Sequence, residues 1–288
     1  MIGFAAPPPV AAAQLVPLEP GFYAFSLTAS LTASLTANLT GEISRRAPKN
    51  GLELPAVHVC TPPHGAGEVE IVDAFGRTDG WLGSHRDRLF VRAPSGGVAA
   101  LVTAYLPPDQ ADVPLGLEIR RVDRPAPCRT LSLGGAAAPA RGAGLDVIAH
   151  IRGRGDLRFV DAPWIGRVGP GLWIEAFTLR PHDPTAAVAI ECKGLIATGG
   201  ETAWLAAGMP CGTSGRGLPL IGFAVRQRAA EKAAEKAAAG GVLFDCEYAG
   251  YFASGATVGP ARNGAPCRSA IANDPLEGMQ LRIVPRSK

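Results

Sequence analysis

Charge is scarce in this chain. Asp, Glu, Lys and Arg make up 18% of the 288 residues and nearly cancel, leaving a formal net charge of +3. With 47% apolar residues, that balance excludes the highly charged, weakly hydrophobic class of disordered chains. No Lys/Arg run with interleaved aromatics occurs, so nucleic acid is not an expected partner. Aromatic residues are also few, at 6%, so any ring the core does not need becomes a candidate contact. No run of 18 or more uncharged apolar residues is present, and no integral membrane segment is expected. The opening MIGFAAPPPV has no basic residue ahead of its apolar stretch, and Pro7, Pro8 and Pro9 interrupt it. A standard secretory leader is therefore not expected, which points to a cytoplasmic location or non-standard export. The phosphate-binding loop, the dinucleotide fingerprint after a strand, H-E-x-x-H and G-x-S-x-G are all missing. The expectation is a chain with no cofactor, no metal and no assigned catalytic residue.

Turn residues, in contrast, are plentiful. Thirty-six Gly and 26 Pro are spread between many short apolar runs, the pattern of an all-β chain. Residues 1–20 are rich in Pro and Ala and read as a flexible arm. From Ser26 to Thr40, SLTASLTASLTANLT alternates apolar and polar residues with period two, which predicts a half-buried strand broken by a bulge or hairpin. Apolar runs at LELPAVHVC, EVEIVDAF, RLFVRAP, VAALVTAYL and LGLEIRRV follow, separated by Pro/Gly clusters. They predict a β-sandwich-like domain over 21–123. Residues 124–145 lack periodicity and read as a linker.

The rest of the chain repeats itself. At an offset of 56, residues 194–226 align with 250–282 without a gap, with 10 of 33 positions identical, Gly208, Pro210, Cys211, Gly222 and Arg226 among them. At an offset of 46 an earlier copy pairs Gly153 with Gly199, Gly166 with Gly212, Phe177 with Phe223 and Arg180 with Arg226. Three copies result, at about 146–181, 188–227 and 242–286 within a repeat domain covering 146–288. The extra 10 residues of the second interval match the Ala-rich AAEKAAEKAA at 229–238, a spacer with helical propensity. Copies too short to close a core alone assemble with their neighbours, so a pseudo-threefold β-prism or β-trefoil is expected, with Ala176, Gly222 and Gly278 at equivalent strand positions.

Copy two, WLAAGMPCGTSGRGLPLIGFAV, resembles the hydrophobic tryptophan-containing repeat of clostridial surface proteins, often called the ChW repeat. Trp204, Leu205 and Gly208 match its first part; Gly212, Thr213, Gly215 and Leu218 match its second. Copy one carries Gly166, Gly169, Leu172 and the strand Ile174-Glu175-Ala176-Phe177. Copy three departs most, with Pro260 in the place of Trp204. The resemblance implies cell-surface attachment or the binding of glycans or proteins rather than catalysis.

Binding of sugars uses an aromatic ring for the apolar face and polar neighbours for the hydroxyls. Trp164 and Trp204 each follow an acidic residue by three positions, Asp161 and Glu201, and Tyr251 and Phe252 stand in for them in copy three. These six are the candidate ligand-binding residues, set against a core role for the same rings. Cys211 and Cys267 are equivalent, with Cys192 and Cys246 earlier in their copies, a spacing that allows Cys192–Cys211 and Cys246–Cys267 disulfides; without an export signal, free buried thiols are expected. His58, Cys60, His64 and His85 fix no acidic fourth ligand and read as ordinary loop and strand residues. Arg154-Gly155-Asp156 lies at a turn where Gly and Asp belong anyway. The function expected is a non-catalytic module that binds carbohydrate or a protein partner. The alternatives are a structural or assembly protein using its repeat faces, and a hydrolase with its chemistry in the N-terminal domain.

Overall fold

The computed structural model describes residues 7–28, 54–63, 67–72, 79–84, 86–134, 144–197, 199–228 and 242–286. The chain forms two compact units, Met1–Ala137 and Ala138–Lys288, each dominated by antiparallel strands. The first contains β1 (Val10–Leu18), β2 (Gly21–Leu27), β3 (Ala56–Cys60), β4 (Glu70–Val72), β5 (Trp81–Leu82), β6 (Leu89–Ala93), β7 (Val98–Leu106), β8 (Leu115–Arg121) and β9 (Arg129–Leu133). β1, β7, β3 and β5 hydrogen-bond in that order, as do β4, β6, β2, β8 and β9. Alternate residues of both sets, among them Val16, Val59, Val102 and Ala104 on one and Phe25, Val91, Leu117 and Ile119 on the other, make one contiguous core.

Three expectations are corrected or bounded here. Residues 10–18 of the expected arm are not free: β1 pairs with β7 from Val10↔Leu106 to Leu18↔Val98, and Val16 and Leu18 are core. Its alanines hid it, because Ala has weak strand propensity yet packs well where a neighbouring strand lies close. The span 124–145 contains β9, registered on β8 from Ile119↔Arg129 to Leu115↔Leu133. As an edge strand it buries only Leu133, so its sequence shows no apolar alternation. Of the strand expected over Ser26–Thr40, Ser26 and Leu27 belong to β2; residues 29–53 lie outside the described residues, as does the Ala-rich spacer at 229–238.

The second unit contains β10 (Leu145–Ile151), β11 (Gly155–Val160), β12 (Ile165–Gly166), β13 (Ile174–Pro181), β14 (Ile190–Ile196), β15 (Leu205–Ala206), β16 (Cys211–Gly212), β17 (Leu220–Gln227), β18 (Phe244–Phe252), β19 (Thr257–Arg262), β20 (Cys267–Arg268) and β21 (Leu276–Pro285). A short helix, Pro184–Ala189, joins copies one and two; Asp183 caps it by accepting from the Thr185 and Ala186 amides at 2.6 and 3.2 Å.

Within this unit the hydrogen-bonding order repeats three times. Each copy supplies a first strand flanked by a hairpin partner and by its own last strand: β11-β10-β13, β15-β14-β17 and β19-β18-β21. The fourth place is filled by the short strand of another copy: β16 pairs with β13, β20 with β17 and β12 with β21. The exchange is cyclic, so copy three closes back on copy one. Ala176↔Gly212, Gly222↔Arg268 and Gly278↔Gly166 are the matching pairs, followed by Phe177↔Cys211, Phe223↔Cys267 and Met279↔Ile165. The six residues of the second set are all buried, each copy lending part of a core that none could close alone.

Every pair in the first set contains a glycine, and the close approach of the backbones requires it. A Cβ on Gly212, whose φ is +124°, would lie 2.3 Å from the Glu175 carbonyl oxygen; one on Gly222 would lie 2.6 Å from the Cys267 oxygen and 2.8 Å from the Arg268 Cβ. Because Arg268 brings a side chain to its junction, its partner must be glycine.

Strand register also corrects the alignment. The hairpin bonds Arg154 N→Ile151 O, Gly199 N→Ile196 O and Gly255 N→Phe252 O place Arg154, not Gly153, opposite Gly199. Copy one is one residue shorter between this turn and its short strand. Cys192 pairs with Val225 and Tyr248 with Leu281, so Tyr248 is the counterpart of Cys192, in agreement with the offset of 56.

Candidate functional site

The six residues singled out from sequence separate into core and surface. Trp164 and Phe252 are buried, at 2% and 0% exposure, so neither offers a ring face to a ligand. Trp164 immediately precedes β12 and Phe252 ends β18, and both rings pack inward with the shared core. Asp161 takes φ +45° and its Oδ1 accepts from the Leu145 amide at 2.8 Å, so its carboxylate is spent on the chain itself.

Trp204 and Glu201 do come together, around a lysine. Lys193 Nζ donates to Glu201 Oε2 at 2.8 Å and lies 5.3 Å from the Trp204 ring centroid. Trp204 is half-buried, and the Arg226 guanidinium carbon stands 3.8 Å from its centroid. Arg226 is held there by Nε donating to the buried Glu191 carboxylate at 2.7 Å, across the β14–β17 pair that sets Glu191 opposite Arg226. The aromatic, two cations and an exposed carboxylate thus share one face of copy two.

Tyr251 is also half-buried, with the Arg167 guanidinium carbon 3.9 Å from its ring centroid. Arg167 belongs to copy one and Tyr251 to copy three, so this pair exists only through the cyclic closure. Its backbone takes φ +59°, an uncommon conformation for a side chain of this size, and its amide donates to the Glu277 carbonyl at 2.8 Å. The Glu277 carboxylate in turn accepts from the Gly171 amide at 2.6 Å. The same device recurs between copies one and two, where Glu175 accepts from the Gly217 amide at 3.2 Å; at the third junction the corresponding residue is Ile221. Between copies one and two His150 adds a further anchor: the Gly215 amide donates to its Nε2 at 3.1 Å, and its Nδ1 lies 2.6 Å from Asp156 Oδ1.

Burial pushes the Glu277 carboxyl above its ordinary value of 4.5, against the Gly171 hydrogen bond and the attraction of Arg167. A carboxyl raised on folding binds its proton more tightly in the native state. Its contribution therefore favours the fold at low pH and is lost as pH rises from about 4.5 through the raised value. Glu277→Gln removes that dependence. Its urea midpoint relative to the parent chain is expected to improve between about pH 4 and about pH 7; a difference that stays constant or moves the other way would show that the carboxylate is ionised and well compensated.

A third stacked pair went unrecognised in the sequence. The Arg152 guanidinium carbon lies 4.0 Å from the centroid of Trp173. Its equivalents are Ala197 with Pro219 and Ala253 with Pro275, located by the bonds Arg152 N→Trp173 O, Ala197 N→Pro219 O and Ala253 N→Pro275 O. A one-residue slip in the alignment concealed the contrast, since a constant offset of 46 sets Arg152 against residue 198. Every other aromatic ring described in this unit is buried, and each of the three that reach the surface carries an arginine on its face.

Cys192, Cys211, Cys246 and Cys267 are free thiols and buried. Burial pushes Cys246 up to about 12 and Cys267 up to about 11, which suits core packing rather than nucleophilic use. Among the described residues no group of three or more His, Cys, Asp or Glu is placed to hold a metal ion; His64 and His85 lie outside them. His58 is buried against Trp81, with ring centroids 4.7 Å apart, and its Nε2 lies 3.1 Å from the Asp79 carbonyl oxygen. No helix among the described residues is long and apolar enough to cross a membrane.

No family model matches the chain, and neither does any curated protein or solved structure. The reading of its function therefore rests on its own geometry.

Proposed function

We propose that the chain is a non-catalytic binding module in which the C-terminal unit, a pseudo-threefold β-prism, binds glycans, while the N-terminal unit is a β-sandwich that carries it. Separate four-stranded sets exchanging short strands cyclically favour a prism over a trefoil, whose strands would join in a barrel. The likeness of copy two to the hydrophobic tryptophan-containing repeat agrees with a surface-associated role.

The observation that carries the glycan reading is the grouping of Trp204 with Lys193, Glu201 and Arg226. A half-buried indole offers apolar area to the C–H face of a pyranose, while ammonium and carboxylate neighbours satisfy its hydroxyls. Related weak sites on one unit would reinforce each other on a polymer. A glycan array probed with the full chain is expected to identify ligands, and Trp204→Ala to weaken their binding roughly 5- to 30-fold, as loss of about 1–2 kcal/mol of stacking implies. An array without ligands, or binding unchanged in Trp204→Ala, would overturn this reading.

A second reading, assembly through the repeat faces, is favoured by the exposed apolar side chains Val188, Met209 and Ile271, at 72%, 53% and 57% exposure. Sedimentation of the purified chain separates the two: concentration-dependent self-association without glycan ligands supports assembly.

A further inference from the structure

Copy one differs from its siblings at two positions that touch each other. Where copies two and three place Ala197 beside Pro219 and Ala253 beside Pro275, copy one places Arg152 beside Trp173. The backbone hydrogen bond that joins the two positions is kept in all three, at 3.0, 3.2 and 2.8 Å. The fold therefore does not need either side chain, since alanine and proline build the same junction twice. Two changes to large residues at contacting positions point instead to a surface that acts on something else.

The chemistry of that surface is one-sided. Arg152 is exposed and forms no ion pair with a carboxylate among the described residues. Its guanidinium carbon lies over the Trp173 ring, 4.0 Å from the centroid, a cation–π contact that satisfies none of its N–H donors with an acceptor oxygen. Trp173 Nε1 is itself buried, so the donors this surface presents are those of Arg152. A guanidinium donates and does not accept, so a ligand seated here must bring acceptors, and negative charge, of its own.

We infer that Arg152, held over Trp173, is a binding site for the carboxylate of an acidic saccharide such as a uronic-acid residue. A planar guanidinium fork matches a planar carboxylate through paired N–H···O bonds, and an aromatic platform that restrains the side chain lowers the ordering cost of making them. The inference rests on the glycan reading above and narrows it to one charge class. It also gives copy one a role that Trp164, being buried, does not supply.

The test uses the full chain and two ligands, a galacturonic-acid oligosaccharide and the same oligosaccharide after reduction of its carboxyls to neutral hydroxymethyl groups. Calorimetry is expected to show at least about tenfold tighter binding of the acid form, with Arg152→Gln losing about tenfold for that form while the melting temperature stays unchanged. Arg152→Lys, which keeps the charge but not the fork, is expected to recover only part of the loss. Equal binding of acid and neutral forms, or acid binding unaffected by Arg152→Gln, overturns the inference and leaves the glycan reading standing. Binding of neither form also overturns it, and the array then decides the glycan reading separately.

Discussion

Gly212→Ala is expected to lower the stability of the C-terminal unit by about 3–5 kcal/mol, seen as a large drop in its urea midpoint. Two costs add. The residue sits at φ +124°, where an L side chain is strained, and its new Cβ would meet the Glu175 carbonyl oxygen at 2.3 Å and the Ala176 Cα at 2.7 Å. Both obstacles are backbone of the facing strand, so no rotamer change relieves them and β13 and β16 must part. Their separation would also loosen the neighbouring Phe177↔Cys211 pair, which belongs to the shared core. Ala176→Gly in the same chain is expected to restore little, since the nearest clash is with a carbonyl and not with the alanine methyl. A loss below about 1 kcal/mol would show that the junction widens at little cost, and that the cyclic pairing is not what holds the copies together.

Phe223→Ala is expected to cost about 3–5 kcal/mol, the range for deleting a fully buried ring that its surroundings cannot refill. Phe223 is 0% exposed and lies between Phe177 and Tyr248, with ring centroids 5.9 and 5.3 Å away. These three rings come from three different copies. The void would thus open where the copies meet, and collapse to fill it would have to draw all of them inward. Tyr248 is restrained from such a shift because its hydroxyl donates to the Ala265 carbonyl at 2.6 Å. Phe223→Leu, which keeps most of the volume, is expected to cost about 1 kcal/mol. A Phe223→Ala loss under about 2 kcal/mol would mean that the copies are stable individually, with the centre loosely filled.

Beyond stability, the arginine carried by each surface-reaching ring alters what the aromatics of this unit can recognise. A bare indole suits neutral sugars, whereas a ring covered on one face by guanidinium presents its other face beside a cation. At Trp204 the cation is partly answered by Glu191 and at Tyr251 by Glu277, while Arg152 on Trp173 is answered by no described carboxylate. The acidic ligand is therefore assigned to copy one.

What the chain's own sequence determined was local and periodic. The apolar runs at RLFVRAP, VAALVTAYL and LGLEIRRV become β6, β7 and β8 because a strand with one buried face needs only alternating side chains, which can be read without knowing its partner. The three copies were legible for the same reason: Gly166, Gly212 and Gly222 recur where backbones touch, and that need is written at single positions. Tertiary structure decided the rest. β1 and β9 carry little alternation of their own and become strands by pairing with β7 and β8. Trp164 and Trp204 look alike in sequence, each three residues after an acid, yet one is buried and the other reaches solvent, because burial depends on which copy closes over the ring. Arg167 and Tyr251 stand far apart in the chain and meet only where the third copy joins the first. Contacts of that kind depend on a ring of strand exchanges that no local pattern encodes, whereas the Trp204 group is assembled within copy two by the β14–β17 pairing, which needs only the tertiary hairpin geometry.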